Sequence, residues 1–259
     1  MDTVKEHKLV NMIKSGGARK KNPALKIGVH GREKVGKTTF AATFPNPLLG
    51  DLENGARFLS QEIDVVPWWD QPFSQVMSDL DRICADAHTY QTFILDSADW
   101  LEAKIEEDVC KSNGVTTINE IQWGKGRGYA QARWMKLLEK LDYLVSIREM
   151  SVVLICHSAI KRIEDPIYPT YDSWSFKLND KSTALTSEWL DVIGYLHFKT
   201  DVQETQEGWK KQVRALGSDQ RILSLTHKPA YLAGNRLGLP EEIDASYEEF
   251  VASIDSSIK

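Results

Sequence analysis

The sequence has little of what marks secreted, disulfide-bonded or membrane-spanning proteins. Its three cysteines, Cys84, Cys110 and Cys156, are an odd number without Cys-x-x-Cys spacing, which indicates neither a disulfide framework nor a zinc site. No apolar run approaches the roughly 18 residues of a membrane-spanning helix, and the N-terminal segment lacks the apolar core of a secretory signal. We therefore expect a cytoplasmic protein with reduced thiols and no membrane partner.

The charge distribution divides the chain into a basic start and an acidic remainder. The 259 residues carry a net charge of −5, but residues 1–37 hold ten basic and three acidic side chains, a local balance of +7. A basic segment on an acidic body suits phosphate contact at one place and solubility elsewhere. A solvated arm without a partner is the other interpretation. We assign residues 1–22 to a basic N-terminal arm and residues 23–259 to one folded domain, because 42% hydrophobic residues can form a full core.

From Pro23 onward, short apolar runs alternate with longer amphipathic segments. We predict strands at residues 25–30, 47–53, 64–68, 92–96 and 151–157, and helices opening near Lys37 and at residues 73–87, 98–114 and 127–150. This alternation predicts an α/β fold with a mostly parallel central sheet and helices on both faces.

The pattern changes after His157. Residues 158–182 have no steady period and contain two prolines and four aromatic residues, which predicts a long loop of the kind that often carries function. Residues 191–198 and 221–227 predict antiparallel strands that extend the sheet at its C-terminal side.

The most specific pattern is GREKVGKTT, residues 31–39. It matches the phosphate-loop motif G-x-x-x-x-G-K-T, and it has the required context of a preceding apolar strand and a following helix. The glycines let backbone N–H groups turn toward phosphates. We expect Lys37 to reach the β- and γ-phosphates of a bound nucleotide and the Thr38 hydroxyl to bind Mg²⁺. The whole loop should contact the nucleotide: Gly31, Arg32, Glu33, Lys34, Val35, Gly36, Lys37, Thr38 and Thr39.

Three acidic residues follow the predicted strands. Asp96 ends the run TFILD, the position of a second Mg²⁺ ligand in phosphate-loop proteins, although an aspartate there can also cap the next helix. Asp51 and Glu53 end the strand after the first helix, two residues apart and therefore on one face of an extended segment. Either carboxylate could orient the water that attacks the γ-phosphate.

These motifs, in this order, resemble the RecA-like ATPases. Within them the chain is most similar to the phage-encoded RecA-like nucleotide-binding proteins associated with single-strand annealing recombination. The likeness spans roughly residues 24–250 and is carried by PNPLLGDLENG, QWGKGRGYAQARWMKLLEKL, VLICHSAIKRIEDP and NRLGLPEEIDASYEEF. It implies a RecA-like P-loop NTPase domain that hydrolyses ATP with Mg²⁺ and acts in the cytoplasm of the host cell.

The resemblance also implies roles for individual residues. Glu53 corresponds to the catalytic glutamate that activates water, and His157 to a polar sensor of the γ-phosphate. Residues 113–128 and 158–182 fall where RecA-like folds place two DNA-binding loops, and both mix aromatic residues with cations, as single-strand binding requires. The candidates are Trp123, Lys125, Arg127, Lys161, Arg162, Tyr168, Tyr171, Trp174 and Lys177. A small core or a subunit contact is the other interpretation of these aromatic residues.

A final resemblance concerns GNRLG, residues 234–238. It is similar to the K-N-R-F-G motif of the RadA branch, whose basic residues contact the nucleotide of a neighbouring subunit, but Gly234 and Leu237 replace the lysine and the phenylalanine. Arg236 is left as the candidate for this catalytic contact, or is a surface arginine paired with Glu241 or Glu242. The implied partners are single-stranded DNA and further copies of the chain in a ring or filament, with a single-strand-binding protein as an open addition.

Other nucleotide-dependent classes fit the sequence less well. A switch GTPase would carry N-K-x-D and a small-molecule kinase an arginine-rich lid, and neither is present. A replicative helicase or helicase loader shares the core motifs, and a nucleotide-gated assembly protein with little hydrolysis would share the phosphate loop. Both alternatives stay open at this point.

Overall fold

The computed structural model describes residues 23–167, 169–207 and 210–257, with the side chains of these ranges except 200–217. The predicted arm, residues 1–22, and the DNA-binding candidate Tyr168 lie outside the described residues. Within them, ten strands form one mixed sheet and six α-helices surround it. The strands are β1 (Lys26–Gly31), β2 (Pro47–Asp51), β3 (Asp64–Pro67), β4 (Thr92–Asp96), β5 (Ser151–Ile163), β6 (Tyr171–Phe176), β7 (Val192–Glu207), β8 (Lys210–Ser224), β9 (Gly234–Asn235) and β10 (Glu242–Asp244). The helices are α1 (Lys37–Ala42), α2 (Phe73–Ala85), α3 (Ala98–Asn113), α4 (Lys125–Ser146), α5 (Asp180–Trp189) and α6 (Tyr247–Ser257).

The strand order is β10-β8-β7-β1-β5-β4-β2-β3, with β6 paired to β5 and β9 to β7. The run from β7 through β1, β5, β4 and β2 to β3 is parallel throughout, whereas β8, β9 and β10 pair antiparallel. Strand β5 lies between β1, which leads into the phosphate loop, and β4, which ends in Asp96. The predicted α/β fold class, including its antiparallel C-terminal strands, is confirmed.

Alternate residues of the central strands build two cores, one on each face of the sheet. Along β4, Phe93 and Leu95 join the core under α2, α3 and α4, while Ile94 joins the core under α1 and α6. Successive side chains of a strand point to opposite faces, so a strand covered by helices on both faces is apolar at every position. None of the helices in the described ranges is both long and apolar enough to cross a bilayer.

The prediction of a loop over residues 158–182 is wrong. Strand β5 continues to Ile163 and pairs antiparallel with β6, with Ser158 opposite Phe176, and α5 begins at Asp180. Ser158, Ser173 and Ser175 are buried positions of this hairpin, and short polar residues at buried positions erase the apolar alternation that identifies a strand.

Candidate nucleotide-binding site

The phosphate loop connects the carboxyl end of β1 to α1. Gly36 has φ of 96°, a left-handed conformation that glycine adopts without strain. At Gly31, an added Cβ atom would lie 2.3 Å from the carbonyl oxygen of Leu196, so only glycine fits there. The buried Lys37 folds back over the loop, and its Nζ donates to the carbonyl oxygens of Gly31 at 3.1 Å and Arg32 at 3.0 Å. Burial lowers the pKa of this lysine, while the Asp96 and Glu53 carboxylates counteract that shift.

Thr38 and Asp96, the two residues predicted to bind Mg²⁺, meet beneath the loop. The Thr38 hydroxyl donates to Oδ2 of Asp96 at 2.5 Å. Burial raises the pKa of Asp96 to about 6 against the opposing hydrogen bond from Thr38, and the Glu53 and Asp51 charges add to the rise. A buried carboxylate crowded by other acids, with a hydroxyl oxygen beside it, is a site that a hard cation stabilises. The side chains therefore fit Mg²⁺.

Asp51 and Glu53 have different roles in the structure. The buried Asp51 carboxylate accepts the backbone N–H groups of Glu53, Gly55 and Ala56 at 3.0 to 3.2 Å, so it fixes the turn that follows β2. Glu53, carried by that turn, is half-buried and accepts a hydrogen bond from the Ser97 hydroxyl. Asp51 therefore stabilises the turn, and Glu53 is the carboxylate that faces the site.

His157 reaches the same site from β5, where it is paired in register with Gly31. Its Nδ1 lies 3.6 Å from Oε1 of Glu53 and 3.0 Å from Oδ2 of Asp99, and its backbone N–H donates to Oδ1 of Asp99 at 3.0 Å. Burial alone would raise the pKa of Asp99, but the hydrogen bonds from His157 outweigh it and lower that pKa to about 2. The same hydrogen bond raises the pKa of His157, so Asp99 favours the imidazolium form.

Asp99 is a site residue that the sequence analysis missed. It lies in the first turn of α3, three residues after Asp96. The available signal is an acidic residue three positions after a strand that ends in the candidate metal ligand Asp96. Acids at that position also stabilise helix starts, so the sequence pattern does not separate the two roles.

Residues 113–128 contain two short 3₁₀ turns and the first turn of α4. Trp123 lies in the second 3₁₀ turn, and Lys125 and Arg127 lie in the first turn of α4. Trp123 is 89% exposed and has φ of 60°, an uncommon conformation for a large residue. Lys125 is exposed, whereas Arg127 forms an ion pair with Glu106 at 2.5 Å. The structure thus leaves Trp123 and Lys125 accessible to a ligand.

The DNA-binding candidates on the β5–β6 hairpin also divide into side chains with contacts inside the protein and side chains that are exposed. Lys161 is engaged, because its Nζ donates to the Leu178 carbonyl oxygen at 2.8 Å and to the Asp180 carboxylate at 2.8 Å. Trp174 is half-buried against a small cluster that contains Tyr195 and Tyr231, and its ring lies 6.0 Å from the Arg32 guanidinium. Among the other candidates, Tyr171 is half-buried, and Arg162 and Lys177 are exposed. For Trp174, the small-core interpretation matches the packing.

Arg236 lies at the opposite end of the sheet from its own phosphate loop. Its backbone N–H donates to the carbonyl oxygen of Asp191, just before β7, and its guanidinium bonds the Asp191 carboxylate at 3.4 Å and the Glu188 carbonyl oxygen. Asp191 also accepts the N–H of Lys26 at the start of β1. The expectation of a Glu241 or Glu242 partner is therefore wrong. The exposed Arg236 side chain cannot serve the nucleotide site of its own chain.

The fold and the phosphate loop define an α/β protein of the P-loop NTPase class. The chain belongs to the AAA domain family, whose sequence model matches residues 24–237. The crystal structure of the RadB recombinase is similar at 13% sequence identity and a TM-score of 0.42, over 78% of this chain and 80% of that chain. No curated protein matches the chain in sequence.

Proposed function

We propose that the protein binds and hydrolyses ATP with Mg²⁺, binds single-stranded DNA, and promotes homologous recombination or strand annealing in a phage. One observation carries the proposal: Lys37, Thr38, Asp96, Glu53 and His157 converge at the carboxyl edge of the parallel strands. Ligands of open α/β sheets bind at that edge.

The arrangement supports a hydrolytic reaction. Glu53 is held by Ser97 and can accept a proton from the attacking water, which is the role of a general base. The Lys37 ammonium and the His157 side chain, whose pKa is raised by the hydrogen bond to Asp99, can stabilise the negative charge that develops on the transferred phosphoryl group. Mg²⁺ bound by Thr38 and Asp96 would neutralise further phosphate charge.

Support for DNA binding comes from exposed aromatic and cationic side chains. Trp123 is accessible beside Lys125, and the exposed Arg162 lies on the hairpin that continues from the nucleotide site. Single strands are bound by stacking on aromatic rings and by cations along the phosphates. The N–H of Lys177 donates to the His157 carbonyl oxygen at 2.9 Å, which links the hairpin directly to the site residue His157.

The decisive experiment measures ATP hydrolysis with and without single-stranded DNA in the wild type and in Lys37→Ala. We expect hydrolysis that DNA stimulates in the wild type and that Lys37→Ala abolishes. DNA binding without hydrolysis would favour the assembly protein. Strand-unwinding activity in place of annealing would favour the helicase class. A wild type that neither hydrolyses ATP nor binds single-stranded DNA would refute the proposal.

A further inference from the structure

Arg221, on β8, lies directly against the phosphate loop. A Cβ atom added to Gly36 would stand 3.0 Å from Nε and 3.1 Å from Cζ of Arg221. The side chain of this arginine therefore rests on the backbone of Gly36, the residue before Lys37. It comes from a strand paired antiparallel to β7, and β7 in turn is paired with the phosphate-loop strand β1.

The Arg221 guanidinium lies over an aromatic ring. Its Cζ lies 5.8 Å from the ring centroid of Phe198, the residue opposite it on β7. Among the side chains that the structure describes, no carboxylate lies within ion-pair distance of this guanidinium. By contrast, Arg127, Arg133 and Arg236 each have a carboxylate partner. An exposed cation beside the phosphate loop thus lacks an internal anion among the described groups.

We propose that Arg221 binds a phosphate group of the nucleoside triphosphate in cis, an assignment that rests on the proposed nucleotide binding. A guanidinium presents several N–H donors in a fixed plane, and this geometry matches phosphate oxygens. The Phe198 ring and the Gly36 backbone hold the side chain beside the loop before the ligand arrives, which reduces the entropy lost on binding. Arg221 would complement Lys37 within the same chain.

The test is calorimetric titration with the non-hydrolysable analogue AMP-PNP and, separately, with inorganic triphosphate, so that no hydrolysis is required. Arg221→Ala should weaken the binding of both ligands by about 10- to 100-fold, the range for a charge-assisted hydrogen bond. Arg82→Ala, an exposed arginine on α2, is the matched control and should bind both ligands as the wild type does. If Arg221→Ala does not fold, Arg221→Gln is used in its place, because glutamine keeps most of the aliphatic stem over Gly36. The same weakening of both ligands is then expected of Arg221→Gln.

The outcomes separate this inference from the proposed function. Wild-type affinity in Arg221→Ala, together with weak binding by Lys37→Ala, would overturn the role of Arg221 and leave nucleotide binding intact. A loss confined to AMP-PNP, with inorganic triphosphate unaffected, would overturn the phosphate assignment. If the wild type binds neither ligand, the proposed nucleotide binding itself fails.

Discussion

Acidification should destabilise the protein through His30, the residue immediately before the phosphate loop. His30 is fully buried, its Nε2 lies 2.6 Å from the Leu232 carbonyl oxygen, and its Nδ1 lies 2.8 Å from the Ser158 hydroxyl. The neutral ring satisfies both contacts, with Nε2–H donating and Nδ1 accepting. Burial lowers the pKa of His30 from 6.5 to about 4, although the hydrogen bond to Leu232 opposes the shift and nearby Lys37 adds to it.

The sign and size of the effect follow from proton binding in the two states. Between pH 6.5 and pH 4 the unfolded chain protonates this histidine and the folded chain does not, so the free energy of unfolding falls as the pH falls through that window. One pKa unit corresponds to about 1.4 kcal/mol. The full loss is therefore about 3 kcal/mol, and about 2 kcal/mol of it is reached between pH 7 and pH 5.

The assay is urea unfolding, followed by circular dichroism at pH 7 and pH 5, for the wild type and for His30→Gln. The raised pKa of Asp96 gives an opposite trend, because the folded state binds the proton more tightly there, but this contribution is common to both proteins. The wild type should lose about 2 kcal/mol more than the variant. An equal loss in the two proteins would refute the reasoning.

Three further predictions concern the proposed activity. Glu53→Gln should keep ATP affinity while turnover falls by at least about 10²; turnover near the wild-type rate in a steady-state assay would remove the assigned base. Trp123→Ala should weaken single-stranded DNA binding by about 1–3 kcal/mol, as loss of a stacking ring does. Trp174→Ala should mainly lower the melting temperature. Unchanged DNA affinity in a fluorescence titration of the Trp123 variant would contradict the DNA-binding role of Trp123. Arg236→Ala and Lys37→Ala should each lack ATPase activity alone. A mixture of the two variants should regain activity, because some subunit junctions then hold an intact Lys37 facing an intact Arg236. Normal hydrolysis by Arg236→Ala alone would disprove a contact between subunits.

The parts of the fold that the sequence predicts are those where a periodic or positional pattern is strict. The strand β4 has three consecutive apolar residues, Phe93 to Leu95, between Thr92 and Asp96, and GREKVGKTT allows one interpretation after an apolar strand and before a helix. The β5–β6 hairpin was missed because serines occupy its buried positions. The residue pattern alone does not separate the roles of Asp51 and Glu53, because they depend on which carboxylate accepts the backbone N–H groups of one turn; only the family resemblance favours Glu53. Asp99 depends on a contact with His157, 58 residues away along the chain, which no local pattern contains.

Strand β5 has a mechanical consequence. Its 13 residues form one continuous strand about 40 Å long at the usual rise per residue. His157 lies midway along this strand, and Arg162 lies near its carboxyl end, in the hairpin with β6. The backbone of β5 stays paired along this length, with β1 up to His157 and with β6 from Ser158 to Ile163, so a tilt of the strand at His157 would move Arg162 further than it moves the residues next to His157.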